Sequence, residues 1–227
     1  MKLTLFDTLL ELPLFQGLGK DALNDIALRA KLDFAKVQPN AVIALQDTTC
    51  NQLIFTLSGD ITAQMISNDH SYILRELFQQ QNIIQPESLF GLYPRYTRSY
   101  IAKTTTSLLR IEKKAIVEQF FMYDVFRFNL LNLLSTHIQQ SQRLLRKKQP
   151  STIQGRFIHF VQARSIKPAG EKTLQIRMND LADQLGETRL NVSRMLHEMC
   201  EQGLLEIERK QIFIPAFENL LQHYNMK

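Results

Sequence analysis

The sequence predicts an α+β chain in three parts: an N-terminal all-β sandwich or barrel, a long helix, and a C-terminal unit of short helices closed by a β-hairpin. Three observations carry that prediction. Short apolar runs recur between turn signals from Asp33 to about Arg110. Lys113 to Lys148 contains neither Gly nor Pro, so nothing interrupts a helical period there. Beyond Ser151 helical spacing returns and ends in two apolar runs around a polar turn.

Composition narrows the class. A chain of 227 residues, 44% hydrophobic and 22% charged, can bury a core in one or two domains. Disordered, collagenous and disulfide-scaffold chains are excluded. No stretch of about 18 uncharged apolar residues offers a membrane span. Asp7 and Glu11 fall where a signal peptide needs an apolar segment, so a cytoplasmic chain is expected. Cys50 and Cys200 are isolated, which suits reduced thiols and leaves too few ligands for an iron–sulfur cluster. Of 27 Lys and Arg, 14 lie in Arg143–Lys227, with 9 of the 22 Asp and Glu. The preceding residues hold 13 of each, so the whole net charge of +5 resides in the C-terminal part. A basic domain beside a neutral one points toward nucleic acid; a solvated basic face is the plainer alternative.

Taken in order, Leu9, Leu12, Phe15 and Leu18, then Leu23, Ile26 and Ala27, follow helical spacing, divided by Pro13 and the Gly17/Gly19 pair. The strand candidates are Ala41–Leu45, Leu53–Leu57, Ile61–Ile66, Tyr72–Leu74, Ile83–Ile84, Tyr100–Ala102 and Leu108–Ile111. Between them stand turns such as Gln38-Pro39-Asn40, Ser58-Gly59-Asp60 and Ser67-Asn68-Asp69. The following helix would reach about 50 Å if continuous. Leu131, Leu134, Ile138, Ser141 and Leu145 recur in three- and four-residue steps, and Leu130, Leu133 and Leu144 form a second stripe. Two apolar faces must both be buried, either in one intramolecular core or, more simply, by the β domain and a second copy of the same helix. Arg146-Lys147-Lys148 would end this helix with favourable cations or touch a DNA backbone.

Gln149-Pro150-Ser151-Thr152 reads as a hinge, with Ser151 or Thr152 capping the next helix, Ile153–Ser165. A short strand Leu174–Ile176 follows, then two helices meeting at Gly186, then the runs Leu204–Ile207 and Gln211–Ile214 around Glu208-Arg209-Lys210. Leu181, Ala182 and Leu185 form the inner face of the first helix; Val192, Leu196 and Met199 form that of the second. Gly186 suits the left-handed residue of a tight inter-helix turn. Arg189, Leu190 and Arg194 then share the outward side near the start of the second helix. There a recognition helix brings side chains to base edges in the major groove. Arg209 and Lys210 would form a wing touching phosphate.

The motif Leu181-Ala182-x-x-Leu185-Gly186-x-Thr188-Arg189-x-x-Val192-Ser193-Arg194-x-Leu196 resembles the winged helix-turn-helix of the Crp/Fnr family of bacterial transcription regulators. Pro13-Leu14-Phe15, the Leu57–Ile61 turn and the long helix extend the resemblance over nearly the whole chain. It implies a cyclic-nucleotide-binding-like β-roll (jelly roll) effector-sensing domain over 1–119. A dimerisation helix and hinge would follow over 120–150, and a winged helix-turn-helix over 151–227. It also implies a homodimer on a two-fold symmetric operator in double-stranded DNA, with RNA polymerase as a partner and control by a small effector. Arg189 and Arg194 fall on the family's base-contacting arginines; Thr188, Asn191 and Ser193 fall on positions that contact phosphate or base. Leu190 departs from the glutamate common there: it cannot accept from cytosine N4 but can pack on a thymine methyl.

The effector elements are similar to the family's Gly-Glu turn and Arg-Ser pair: Gln85-Pro86-Glu87-Ser88-Leu89, with Arg98 and Ser99, and Ser141 on the long helix. Pro86 stands where the family has glycine, removing an N–H and fixing φ. A cyclic nucleotide, another small effector, an internal Glu87–Arg98 ion pair, or no ligand all fit these residues. His137 could face such a pocket, yet the five histidines show no metal-ligand spacing. No phosphate loop, nucleophile elbow or paired-carboxylate motif suggests an enzyme. The rival reading, an effector-binding module that does not bind DNA, would lack Arg189, Arg194 and the wing.

Overall fold

The computed structural model describes residues 5–79, 82–146 and 150–225, and these fall into two compact units. The first comprises Met1–Ile61, Gln79–Thr97 and Ile101–Leu145; the second comprises Thr62–Phe78, Arg98–Tyr100 and Arg146–Lys227. Lys147, Lys148 and Gln149 of the basic run and hinge lie outside the described residues, as do the side chains of Leu144 and Leu145.

The first unit begins with α1 (Leu5–Leu10) and α2 (Lys20–Arg29), whose Leu9, Leu23 and Ile26 are buried as their spacing predicts. Its antiparallel sheet takes β1 (Asp33–Val37), β8 (Thr106–Glu112), β3 (Gln52–Ser58) and β6 (Asn82–Ile84) in the order β1-β8-β3-β6. β2 (Val42–Ala44) lies beside β7 (Ser99–Ala102), where Ala102 N donates to Ala41 O at 3.0 Å. Strand β1 has a weak burial alternation, and the apolar-run pattern had not marked it.

The Gly- and Pro-free stretch is not one helix. α3 (Lys113–Glu118) ends at Gln119, a 3-10 turn follows at Phe120–Met122, and α4 runs Asp124–Leu145. That shortens the long helix to 22 residues, or about 33 Å. Tertiary contacts override helical continuity here. Phe120 is buried against Phe126 (ring centroids 5.0 Å) and Phe15 (5.9 Å), and the Tyr123 hydroxyl donates to Asp25 Oδ2 at 2.6 Å. Along α4, Phe126 and Leu130 are buried, while Phe128, Leu131 and Ile138 are 62%, 58% and 58% exposed.

The second unit contains β4 (Ile61–Ile66) from Thr62 onward, β5 (Tyr72–Phe78), α5 (Ile153–Arg164), β9 (Lys172–Ile176), α6 (Met178–Leu185), α7 (Arg189–Glu201), β10 (Glu206–Glu208), β11 (Gln211–Ile214) and α8 (Phe217–Asn225). Thr152 caps α5, its hydroxyl accepting from Gly155 N at 3.1 Å. The strands lie in the order β10-β11-β9-β5-β4. β5 pairs antiparallel with β9 from Tyr72↔Ile176 to Glu76↔Lys172, so the winged sheet continues into the β4–β5 hairpin. Its core includes Leu74, Phe157, Val161, Leu174, Leu181, Val192, Leu196, Leu205, Ile214 and Phe217.

Candidate nucleic-acid interface

The geometry of α6 and α7 follows from a few residues. Leu181, Ala182 and Leu185 are buried on α6, and Val192, Met195, Leu196 and Met199 on α7. Between them Gly186 adopts φ 61°, ψ 42°. That left-handed conformation is costly for a residue with a Cβ. Gly186 N donates to Asp183 O and Glu187 N to Ala182 O, satisfying carbonyls at the end of α6. Thr188 then caps α7, its hydroxyl oxygen accepting from Asn191 N at 3.2 Å.

Burying one face of α7 leaves the other exposed: Thr188, Arg189, Leu190, Asn191, Arg194 and His197, with Ser193 half-buried. Leu190 is 67% exposed, an apolar side chain in the first turn with no apolar cover. His197 Nδ1 donates to Ser193 O at 2.7 Å. Arg209 and Lys210 form the two-residue exposed turn between β10 and β11, with Lys210 at φ 62°. Among the described residues none of the side chains of Arg189, Arg194, Arg209 and Lys210 has an ion-pair partner.

Arg189 and Lys210 share a cleft of about 390 Å³ with Arg177 and Asn179, floored by Ile176, Leu181 and Ile212. Ile176 N donates to Lys210 O at 3.0 Å, fixing the turn of the wing to the end of β9. Sequence reasoning counted Arg177 in the basic excess without assigning it a place. Its position beside the first residue of α6 was the available signal.

Glu187 and Arg156 were also missed. Arg156 on α5 donates to Glu187 Oε1, and Asn191 Nδ2 donates to Glu187 Oε2 at 3.1 Å. The Asn191 bond first, then the guanidinium of Arg156, hold the Glu187 carboxyl below the usual carboxylate range. The i,i+4 spacing of Glu187 and Asn191 is legible in a sequence; a partner 31 residues away is not.

The four residues considered for an effector are not brought together in one unit. Glu87, in the 3-10 turn Pro86–Ser88, lies 3.3 Å from His137 Nδ1 on α4 and raises the imidazole pKa above 6.5 through that hydrogen bond. Ser141 donates its hydroxyl to His137 O at 3.0 Å. Arg98 and the buried Ser99 belong to the second unit. There Arg98 donates to Glu76 Oε1 (3.1 Å) and to Arg164 O (2.6 Å), rather than pairing with Glu87. Glu76 is fully buried and also accepts from Lys172 Nζ at 2.6 Å and Ile166 N at 2.8 Å. Burial lowers the pKa of Lys172, opposed by the charge and hydrogen bond of Glu76. Arg164 stacks over Phe160 at 3.9 Å and donates to the Tyr72 hydroxyl at 2.7 Å.

Comparison with known proteins gives the same assignment for this region. Residues 155–223 match the Crp-like helix-turn-helix domain family. Among solved structures, the Thermus thermophilus catabolite activator protein superposes with a TM-score of 0.52 at 18% identity, covering 95% of this chain and 99% of that one. A Crp/Fnr-family regulator from Eubacterium rectale gives 0.53 at 18% identity, covering 93% and 97%. The c-di-GMP-responsive regulator CLP of Xanthomonas campestris gives 0.51 at 15% identity, covering 87% and 99%. These likenesses establish a shared fold. No curated protein matches the chain by sequence.

Proposed function

From a chain that carries a Crp-like helix-turn-helix domain over residues 155–223 and has the fold of the Crp/Fnr regulators, we propose a homodimeric, sequence-specific DNA-binding transcription regulator rather than an enzyme. The observation that carries the reading is the exposed first half of α7: Arg189, Leu190 and Arg194 face solvent, neither arginine has an ion-pair partner among the described residues, and Arg189 shares a cleft with Lys210 of the wing. Arg189 and Arg194 read base edges, Leu190 packs on a thymine methyl, and Thr188, Asn191 and Ser193 contact phosphate or base. Arg209 and Lys210 hold phosphate, supplying salt-dependent affinity.

The division of labour follows 1–119 for sensing, 120–150 for dimerisation and 151–227 for DNA. The exposed Phe128, Leu131 and Ile138 on α4 support self-association, since an apolar row in water favours a second copy. Two recognition helices then meet half-sites about one DNA turn apart. RNA polymerase is the onward partner in the cytoplasm. An effector would act from the Glu87–His137–Ser141 side of the first unit by favouring the binding-competent population.

Electrophoretic mobility shift on genomic fragments, followed by Arg194→Ala, tests the reading. The variant should lose specific retardation while its sedimentation coefficient stays that of the parent. Retained operator affinity would refute the role of α7.

A further inference from the structure

At the entrance to α7, three residues form a chain of hydrogen bonds that fixes one exposed amide. Asn191 Nδ2 donates to Glu187 Oε2 at 3.1 Å. The other oxygen of Glu187 accepts from Arg156 Nη2, and Arg156 Nη1 donates to Ser151 O at 3.2 Å. Both ends of the Arg156–Glu187 pair are about three-quarters buried, so the carboxylate cannot swing freely. A carboxylate only accepts. Nitrogen, not oxygen, must therefore face Glu187, and the amide orientation follows from chemistry.

A primary amide offers two hydrogens on nitrogen. One lies beside Oδ1 and with it makes an acceptor–donor edge; the other points away. With Glu187 taking the second, the first edge stays free on an exposed residue in the first turn of the helix. That edge complements adenine, which shows an N6–H donor next to the N7 acceptor in the major groove. Guanine shows two acceptors there, and one of them would oppose Oδ1. A phosphate would use only the Nδ2 donor and leave Oδ1 without a partner, so the two-atom edge matches adenine better.

We infer that Asn191 is an adenine-reading residue, that Glu187 is the positioning residue orienting its amide, and that Arg156 anchors Glu187. This rests on the DNA-reading function proposed above and narrows it to one base identity per half-site, beside whatever Arg189, Leu190 and Arg194 read.

The test uses the full-length protein and duplexes selected from a randomised pool. Fluorescence anisotropy at fixed salt then compares the selected operator with versions in which each adenine is replaced by 7-deazaadenine, which lacks N7, or by purine, which lacks the amino group. One adenine per half-site should respond to both changes with roughly a tenfold or greater loss of affinity. Asn191→Ala should abolish that sensitivity at that adenine alone. Glu187→Ala should weaken it severalfold without lowering affinity for a non-specific duplex, whereas a purely structural role would lower both. Glu187→Gln, which keeps an acceptor, should restore most of it. An operator tolerant of both replacements at every adenine, or sensitivity unchanged in Asn191→Ala, overturns the assignment alone. Undiminished sensitivity in Glu187→Ala overturns the positioning role. Failure to bind any duplex overturns the DNA-reading function and this assignment with it.

Discussion

Replacing Glu76 with alanine probes the element that ties β5 to β9. The carboxylate is fully buried and neutralises Lys172, itself 1% exposed, while accepting from Arg98 and from Ile166 N. Removing one partner of a buried ion pair leaves an uncompensated charge, at about 3–5 kcal/mol. The orphaned Ile166 N–H adds a non-additive contribution on the order of 1–3 kcal/mol. The expected loss in a urea titration followed by circular dichroism is therefore at least about 3 kcal/mol. Hydrogen exchange should quicken first at the β5 and β9 amides. Lys172→Met should cost less, because Glu76 keeps Arg98 and the amide; Glu76→Leu combined with Lys172→Met should recover most of the single loss. Linkage supplies a further signature. Folding already lowers the Lys172 pKa because burial penalises its charge, and without Glu76 it falls further. The folded variant then sheds that proton at lower pH than the unfolded chain, so its deficit against the parent should shrink as pH rises toward 10.5. A loss below about 1 kcal/mol, or a deficit independent of pH, would refute the reasoning.

Other outcomes are as specific. Leu131→Glu should shift sedimentation toward the monomer while changing the thermal stability of the single chain by no more than about 0.5 kcal/mol, because the side chain is already in water. His137 should titrate by NMR above 6.5, and Glu87→Gln should return it toward that value. The stabilisation from this pair is present below 6.5 and lost as pH rises through the raised value. Gly155→Ala should destabilise, by roughly 1–3 kcal/mol in chemical denaturation. An added Cβ would meet the Tyr224 hydroxyl, and Pro150 Cβ at 2.5 Å, so the usual helical gain from alanine is reversed.

Much of the second unit was legible because its signals are local. Leu181, Ala182 and Leu185, then Val192, Leu196 and Met199, obey helical spacing, and Gly186 marks the left-handed turn between them; the cap that Thr188 provides was not read from the sequence. The wing followed from two apolar runs around charged residues. Partner choice was not legible. The run Tyr72–Leu74 predicts a strand, but nothing in a two-residue period says that β5 pairs with a strand about a hundred residues later. Glu76 occupies a buried position in the alternation of β5, between Leu74 and Phe78. A carboxylate there reads as solvent-facing until Lys172 and Arg98 are seen beside it. The interruption between α3 and α4 escaped for a similar reason: no Gly or Pro announces it, and the aromatic packing of Phe120 that produces it is tertiary.

The same distinction separates the basic residues that bear on function from those that serve the fold. Counting cations located the charge excess but could not tell Arg98, in the balanced part, or Arg156, Arg164 and Lys172, in the basic part, from Arg189 and Arg194. In the folded second unit the first four are committed: Arg98 and Lys172 to Glu76, Arg156 to Glu187, and Arg164 to the rings of Tyr72 and Phe160. Arg189 and Arg194 take no ion pair among the described residues, although the same segment contains Asp180, Asp183 and Glu198. The wing is more nearly balanced, because Glu206 and Glu208 precede Arg209 and Lys210. Its tip can hold phosphate, but its net field is small. In the proposed function, attraction to a polyanion therefore draws on α7 and on Arg177 at the head of α6 as well as on the wing tip. Removing Arg177, like removing Arg209 or Lys210, should then lower the slope of log affinity against log salt by about one unit, whereas a slope unchanged in Arg177→Ala would remove Arg177 from the phosphate-binding set.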